Sequence, residues 1–210
     1  CLTTPESLTF NPLLFTKLPY DPDNDFAPVS LVTRGRGGVI IASGALAPTT
    51  LPEIVAYAKA NPGKLNFATW GPGSIPAVYL GWINQQNGIN ITAIAYKGAG
   101  PTIPALMTNE TQLTYLGASL VLQQVKSGKI KFVAFTGSQR SPQFPEIPSL
   151  GDHKSDPGLD SYFALFTGAR VPAAIVNRLG AEFGNAARSA KVQEFLKTQF
   201  QEGVGSSPAE

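Results

Sequence analysis

A glycine-rich stretch, TWGPGSIP at residues 69–76, has the residue types best suited to holding a ligand. Gly71 and Gly73 allow main-chain N–H groups to approach a guest closely. A helix beginning near Ser74 would point the positive end of its dipole at the same spot, which favours an anion. A plain strand-to-helix turn with Ser74 as N-cap explains the same residues without any ligand. The stretch alone therefore leaves both interpretations open.

Three further loops share this character, because they consist largely of small, glycyl or hydroxyl-bearing residues. They are CLTTPES (1–7), YKGAGP (96–101) and LGAS (116–119). Apart from Glu6, none of the four loops supplies a side chain placed for acid–base or nucleophilic work. Ligands of open parallel sheets bind beyond the carboxyl ends of the strands, where such loops converge. The shared chemistry is hydrogen-bond donation, which suits a carboxylate that is held without reacting.

The usual catalytic and metal-binding residues are scarce in this chain. Its single cysteine, Cys1, and single histidine, His153, cannot form a His/Cys metal cluster, so we expect no metal and no cofactor. A Ser–His–Asp triad would depend on His153 alone, and neither a G-x-S-x-G elbow nor a P-loop occurs. An enzyme that used Lys97 or His153 would lack a visible activating partner.

Charge and hydropathy exclude further classes. The chain has 16 Lys and Arg residues and 14 Asp and Glu residues, for a formal net charge of +2. The basic residues do not cluster as a nucleic-acid-binding face would require. Hydrophobic residues make up 43% of the chain, yet no apolar stretch approaches the ~20 residues of a membrane span. A length of 210 residues fits one large domain or two small lobes.

Apolar periodicity predicts an alternation of strands and helices over the first two thirds of the chain. The predicted strands lie at 27–33, 38–43, 65–69, 90–96, 112–117 and 130–137. The predicted helices lie at about 51–60, 75–87, 101–108 and 119–126. Thr50 and Glu53 form a capping box before the first of these helices. Alternation with short links predicts an α/β fold with a parallel sheet covered by helices on both faces.

The pattern changes after residue 137. Residues 138–161 are predicted to be an irregular connector, and 162–168 a strand. Two amphipathic helices follow, from about Pro172 and Ala190. Their apolar stripes are predicted to face the core. The stripe residues are Ile175, Val176, Leu179, Phe183 and Ala187 in the first helix and Val192, Phe195, Leu196 and Phe200 in the second.

Several stretches resemble one family. They are NPLLFTKLPYDPDNDFAPVSLV, LPEIVAYAKANPGKLNFAT, YKGAGPTIPAL, SGKIKFVAFTGSQRSPQFPEIPSL and GVGSSPAE. Together they resemble the Bug-type solute-binding receptors of tripartite tricarboxylate transporters along nearly the whole chain. The resemblance implies a two-lobed type II periplasmic-binding-protein fold. It also implies a periplasmic receptor that closes on a small organic anion, passes it to a membrane permease and performs no chemistry.

The resemblance also implies a ligand site. The residues that it places there are Thr3, Thr4, Thr69, Trp70, Gly71, Gly73, Ser74, Tyr96, Lys97, Gly98, Ala99, Gly117 and Ser119. Main-chain groups and hydroxyls of the glycine-rich loop would hold a ligand carboxylate, and Trp70 would form an apolar wall or pack as a partly buried residue. Residues 117–119 depart from the family, which commonly has an acidic or amide residue there, so recognition of an amino group is in question.

The resemblance further implies how the chain is divided. Residues 1–38 and 134–210 would form the first lobe and residues 39–133 the second, with crossings near Gly37 and Ala134. Family members usually have additional elements before the segment that matches Cys1 and a further helix after the closing stretch. We therefore expect a first lobe that is incomplete, weak or no anion binding by this form, and self-association through exposed strand edges.

Three functions remain open at this point. The first is a solute-binding receptor for a di- or tricarboxylate, an acidic amino acid or an aromatic acid, or a truncated form of it without binding activity. The second is the effector-sensing domain of a transcription regulator with the same fold, which would need a helix-turn-helix that is not visible. The third is the enzyme considered above.

Overall fold

The computed structural model describes residues 1–3, 6–35, 38–154, 156–159 and 161–209. The strands are β1 Leu2–Thr3, β2 Phe26–Gly35, β3 Gly38–Ser43, β4 Asn66–Thr69, β5 Thr92–Ala95, β6 Leu113–Gly117, β7 Ile130–Phe135, β8 Ser161–Gly168 and β9 Gln201–Gly203. The α-helices are α1 Asn11–Leu14, α2 Leu51–Ala60, α3 Ile75–Asn87, α4 Ala99–Met107, α5 Leu122–Lys126, α6 Ala173–Arg188 and α7 Ala190–Thr198. Single turns of other helix types occupy Glu6–Phe10, Ala118–Leu120 and Gly151–His153. Within these described ranges, no helix is long and apolar enough to cross a bilayer.

The chain forms two compact units. The first unit comprises Cys1–Gly35 and Asp160–Glu210, and the second unit comprises Arg36–Leu159. Each unit has its own sheet, because β1, β8, β2 and β9 pair in one sheet and β5, β4, β6, β3 and β7 pair in the other.

The sheet of the second unit is mixed rather than wholly parallel. β4 pairs in parallel with β5 and β6, whereas β3 pairs antiparallel with β6 and β7. The sequence-based expectation of a parallel sheet is therefore wrong for β3. This strand is buried at every residue, and a strand covered on both faces shows the same continuous apolar run whichever way it points.

Helix α2 begins as its sequence predicts. The Thr50 hydroxyl accepts the Glu53 N–H at 3.4 Å, and the Glu53 carboxylate accepts the Thr50 N–H at 3.2 Å, which together form the capping box. Its buried residues Leu51, Ile54 and Ala58 pack into the core of the second unit. That core also contains Phe67 of β4, Tyr79, Leu80 and Ile83 of α3, and Tyr115 of β6.

The segment after β7 remains with the second unit. Phe135 donates its N–H to the carbonyl of Pro148 at 2.9 Å and accepts the N–H of Leu150 at 2.8 Å. The Leu150 side chain is fully buried in the same core. The second crossing between lobes, expected near Ala134 from the sequence, stays a prediction; in the structure these contacts join residues 148–150 to β7, and the second unit extends to Leu159.

The first unit has an antiparallel sheet in the order β1-β8-β2-β9. Helix α6 packs on β2, and its buried residues are Val176, Gly180, Gly184 and Ala187. The glycines permit a close approach, because a Cβ atom at Gly180 would lie 3.0 Å from the carbonyl oxygen of Val29.

The predicted core stripes of α6 and α7 are wrong in part. Ile175 and Phe183 are 51% and 40% exposed, and Phe195 of α7 is 60% exposed. For α6, the close packing of Gly180 against Val29 of β2 and of Gly184 against the Gly205 carbonyl explains this result, since it buries the small residues and leaves the larger side chains outward.

Candidate functional site

The candidate site lies at one edge of the second unit's sheet. Because β4, β5 and β6 are parallel, their carboxyl ends share that edge. Thr69 pairs with Ala95, and Ala68 pairs with Thr114. Counting onward from these pairs places Gly71 and Lys97, just beyond β4 and β5, at the level of Gly117, the last residue of β6. The sheet order β5-β4-β6 puts Gly71 between the other two.

The loop after β4 closes on itself. The Ser74 hydroxyl donates to the carbonyl oxygen of Gly71 at 2.7 Å, and the Ser74 N–H donates to the same oxygen at 3.2 Å. Gly71 donates its own N–H to the Thr69 hydroxyl at 3.4 Å. Gly71 and Gly73 have φ angles of 101° and 81°, the left-handed region that favours glycine.

Ser74 is the N-cap of α3, as its position in the sequence suggests. Its hydroxyl makes no capping bond to the helix and instead bonds back to Gly71, so it stabilises the loop. The N–H groups at the start of the 13-residue helix α3 therefore receive no help from the N-cap side chain.

Backbone donors accumulate in these loops. The N–H groups of Trp70, Gly73, Lys97 and Gly98 have no acceptor within the part of the chain that the structure describes. Backbone N–H groups without a protein acceptor bond water in the free protein, so these four donors are available to a ligand. An anion that accepts several hydrogen bonds fits such donors.

The loop after β5 is attached to β4. Tyr96 donates its N–H to the carbonyl of Thr69 at 2.8 Å, while its phenol lies 2.8 Å from a carboxylate oxygen of Glu110. Burial, together with this bond to Glu110, raises the pKa of Tyr96 above its ordinary value of 10.0. The phenol of Tyr96 is thus committed to Glu110 and its N–H to Thr69, so Tyr96 attaches the loop to β4. No local sequence pattern predicted this role of Glu110, since it lies 14 residues from Tyr96 along the chain.

Lys97 and the residues after it form the second loop's rim. The Lys97 side chain is exposed. Among the described residues 69–74, 96–99 and 117–119, it is the only positively charged side chain. Gly98 has φ 97° and ψ −173°, a conformation that only glycine adopts readily. Helix α4 begins at Ala99, whose carbonyl accepts the buried Thr102 hydroxyl at 2.6 Å.

The third loop follows β6. Gly117 pairs with Gly38 at the end of the β3–β6 ladder and has an ordinary extended backbone, with φ −69° and ψ 131°. Ala118 is fully buried, and Ser119 is half-buried.

The structure brings most of the predicted site residues together. Eleven of them, all in the second unit, lie in the three loops at this edge: Thr69, Trp70, Gly71, Gly73, Ser74, Tyr96, Lys97, Gly98, Ala99, Gly117 and Ser119. Thr3 belongs to the first unit, where it pairs with Ala164, and Thr4 lies outside the described residues. Their part in the site stays a prediction from the sequence.

Among the described residues, no three His, Cys, Asp or Glu side chains form a group that could hold a metal ion. His153 lies in the turn after Leu150, to whose carbonyl it donates its N–H at 3.1 Å, rather than in the three loops.

Solved structures define the class of the fold. An R. palustris protein, Rpa4515 with adipate, matches with a TM-score of 0.90 at 24% identity over 99% of this chain and 70% of that chain. The periplasmic binding protein BugD matches with a TM-score of 0.89 at 24% identity over 99% and 69%. MatC from Rhodopseudomonas palustris, with bound malate, matches with a TM-score of 0.84 at 24% identity over 96% and 69%. The chain thus has the α/β fold of periplasmic binding proteins.

The family follows from the sequence match. The chain belongs to the tripartite tricarboxylate transporter family receptors, because the sequence model of that family matches residues 2–207. A UPF0065 protein of Pseudomonas sp. strain P51 is 24% identical over 203 residues, which are 96% of this chain and 60% of that protein. BugT of Bordetella pertussis is 27% identical over 196 residues, 93% of this chain and 60% of that protein. The chain spans about 60% of the length of these curated relatives.

Proposed function

We propose that this chain is a periplasmic solute-binding receptor that captures a small organic carboxylate and delivers it unchanged to the permease subunits of a tripartite tricarboxylate transporter. Membership of the receptor family supports this role. Two structures of the same fold contain adipate and malate, which are both dicarboxylates. The two units are proposed to be the two lobes of the receptor.

The observation that carries the proposal is the meeting of backbone donors at one sheet edge. Four N–H groups, of Trp70, Gly73, Lys97 and Gly98, have no acceptor among the described residues. The Lys97 ammonium and the N-terminus of α3 add positive potential at the same edge. Each charge-assisted hydrogen bond to a carboxylate contributes on the order of 1.5–3 kcal/mol, so two or three of them would suffice for recognition.

We also propose that the site binds its carboxylate without reacting with it. In the three loops, the ionisable side chains are Lys97 and Tyr96, and the phenol of Tyr96 is engaged by Glu110. No nucleophile with an adjacent base lies there among the described residues, so the arrangement can bind a carboxylate but has no means to activate it.

Calorimetry tests the proposal. The chain is titrated with dicarboxylates, tricarboxylates and aromatic acids, and the same mixtures are examined afterwards by chromatography for new products. We expect saturable heat from at least one acid and no product. Product formation would identify an enzyme, and no heat from any acid would contradict the receptor role.

A pair of variants tests whether the carboxylate binds beside Lys97. Lys97→Gln should weaken the acid that binds best, because it removes the cation at the rim. Lys64→Gln is the matched control, since Lys64 is also an exposed lysine of the second unit but lies at the opposite end of β4. Equal affinities in the two variants would remove the Lys97 rim from the site.

Self-association is a second, separate part of the proposal. β1 is an edge strand of the first unit, and Leu13, Leu14 and Phe15 are 82%, 51% and 48% exposed. A free strand edge and consecutive exposed apolar side chains both favour contact with another copy. Light scattering over a range of concentrations tests this, and Leu13→Ser should shift the chain toward the monomer. A monomer at every concentration would contradict it.

A further inference from the structure

Two tyrosines stack on each other in the core of the second unit. Tyr79 lies on α3 and Tyr115 on β6, with ring centroids 4.9 Å apart and ring planes inclined by 15°. Their exposed fractions are 1% and 7%. Stacked rings in a close-packed core do not move independently, because a shift of one ring opens a gap beside the other. The two side chains therefore act as one element, the tyrosine pair.

Tyr79 is attached to the last residue of the second unit. Its hydroxyl donates to the carbonyl oxygen of Leu159 at 3.1 Å, and the Leu159 side chain packs, partly buried, against the same core. The first unit resumes at the next residue along the chain. The bond thus holds the main chain at the point where it leaves the second unit, and it gives a buried phenol the partner that it needs.

Tyr115 lies against the opposite end of the unit's sequence. The second unit begins at Arg36, and Gly38 is its first described residue. A Cβ atom at Gly38 would lie 2.7 Å from Cε2 of Tyr115 and closer still to the hydroxyl oxygen, so the phenol ring rests on the main chain of this glycine. The carbonyl of Gly38 also accepts the N–H of Thr136 at 2.9 Å and its hydroxyl at 3.1 Å. Gly38 is therefore held both by the sheet and by the tyrosine pair.

The tyrosine pair is also close in sequence to two loops of the proposed carboxylate site. Tyr79 is in the second turn of α3, five residues after Ser74, and Tyr115 is two residues before Gly117. Helix α3 and strand β6 therefore each carry one loop of the site at an end and one ring of the pair. Packed side chains and rigid secondary elements transmit displacements between distant points, so the pair connects both ends of the unit to these loops.

We propose that the tyrosine pair anchors both ends of the second unit, Gly38 and Leu159, to the core that carries the site loops, so that the unit moves as one rigid body. Tyr79 and Tyr115 are positioning residues in this role, because they act on the main chain rather than on a ligand. The use of the rigidity rests on the proposed receptor function. A receptor whose lobes move relative to one another needs lobes that do not deform at their ends.

Proteolysis of the folded chain by chymotrypsin tests the anchor without any ligand. Cleavage after Leu159 requires local opening, and its rate follows the population of the open form. Tyr79→Phe keeps the stacked ring but loses the hydroxyl, so we expect cleavage after Leu159 to become about fivefold faster. Tyr57→Phe is the matched control, because Tyr57 packs against the same core and its hydroxyl has no hydrogen bond among the described residues. Equal cleavage rates in the two variants would overturn the inference.

A second cleavage site in the same chain separates local from global opening. Phe67 of β4 is 1% exposed in the core, so cleavage after Phe67 reports global unfolding. We expect its rate to stay nearly constant in Tyr79→Phe while cleavage after Leu159 accelerates. A parallel increase at both sites would show that the hydroxyl only stabilises the whole core, and would overturn the anchoring role.

Gly38→Ala tests whether one element holds both ends. The added Cβ displaces the Tyr115 ring, so cleavage after Leu159 should accelerate relative to the global reference, although Leu159 lies at the other end of the unit's sequence. Gly44→Ala is the matched control, because its Cβ meets the backbone of the turn after α5. Equal ratios of local to global cleavage in the two variants would show that the ends are held separately, against the inference. Since no ligand is present, a failure of the anchor leaves the receptor function intact, and a failure of carboxylate binding in calorimetry leaves the anchor intact.

Discussion

The Ser74 hydroxyl lies 2.7 Å from the carbonyl oxygen of Gly71, to which it donates a hydrogen bond. This bond closes the loop between β4 and α3. The side chain of the N-cap residue therefore stabilises the loop backbone, which we propose as the anion site, and does not cap the helix. The geometry of the loop therefore depends on one buried side chain, which is 6% exposed.

Ser74→Ala should loosen the loop. The Gly71 carbonyl keeps the Ser74 N–H at 3.2 Å but loses the shorter bond, so we expect a loss of about 0.5–1.5 kcal/mol in the free energy of unfolding of the second unit. Binding should weaken as well, since the N–H donors become less well fixed. Ser127→Ala is the control: its hydroxyl also bonds a carbonyl, Gln124 at 3.0 Å, but at an exposed turn. Equal effects of the two substitutions in chemical denaturation would contradict the bracing role.

Asp152 should make stability depend on pH in the acid range. The N–H of Ser149, at 3.0 Å, and then the guanidinium of Arg140, at 2.7 Å, hold the pKa of this carboxyl below its ordinary value of 3.8. A folded-state pKa below the unfolded value stabilises the fold fully above the unfolded pKa, and this contribution is lost as the pH falls through the folded-state pKa.

Asp152→Asn tests this dependence through thermal unfolding at a series of pH values. The difference in midpoint between the unmodified chain and the variant should be constant above about pH 5 and shrink below the ordinary carboxyl pKa. Glu146→Gln, which removes another exposed carboxyl of the same segment, is the control for the loss of a negative charge. A midpoint difference that does not change with pH would show that the Asp152 charge has no role in holding residues 136–154.

Substitution of two glycines of the second unit by alanine should change the free energy of unfolding in opposite directions. A Cβ atom at Gly44 would lie 2.2 Å from the carbonyl oxygen of Gly128, which is backbone and cannot move aside cheaply. Gly44→Ala should therefore destabilise by about 1–3 kcal/mol or more. Gly81 lies inside α3 with nothing within 4 Å of its added Cβ, so Gly81→Ala should stabilise by about 0.5–1 kcal/mol. Chemical denaturation of both variants measures the signs, and a stabilised Gly44→Ala chain would contradict the close packing.

These elements show which features a sequence can reveal. The capping box of α2 and the glycine turns after β4 and β5 depend on residues within a few positions of one another, so their local pattern predicts them. The antiparallel direction of β3 and the bond between Tyr96 and Glu110 depend on which segments meet in space. No local pattern encodes such meetings.

The outward face of α6 illustrates the same limit. Its larger apolar residues predicted a core stripe, but Gly180 and Gly184 are buried instead, because their size allows the helix to come close to Val29 of β2 and to Gly205. Hydrophobic periodicity ranks residues by apolarity, and it cannot anticipate that a close backbone contact selects the smallest ones.

Trp70 should report ligand binding through its fluorescence. It is one of two tryptophans, is half-buried, and directly follows Thr69 at the proposed site, whereas Trp82 lies within α3. A bound carboxylate should change the emission of the Trp82→Phe variant, which retains only Trp70. The Trp70→Phe variant should give no change while retaining a fold that circular dichroism can verify. A ligand response that persists without Trp70 would place the ligand elsewhere.

Gly73→Val should abolish most carboxylate binding. Gly73 has a φ of 81°, where a β-branched residue is strained by about 1–3 kcal/mol, so the loop must change its backbone and move its N–H donors. Gly63→Val is a matched control, because Gly63 has a similar φ of 74° with nothing within 4 Å of an added Cβ, but it lies in the turn after α2. Both variants should lose comparable stability in thermal unfolding, and only Gly73→Val should lose affinity in calorimetry with the acid that the unmodified chain binds best. Unchanged affinity in Gly73→Val would remove this loop from the site, since strain alone is shared by the two positions.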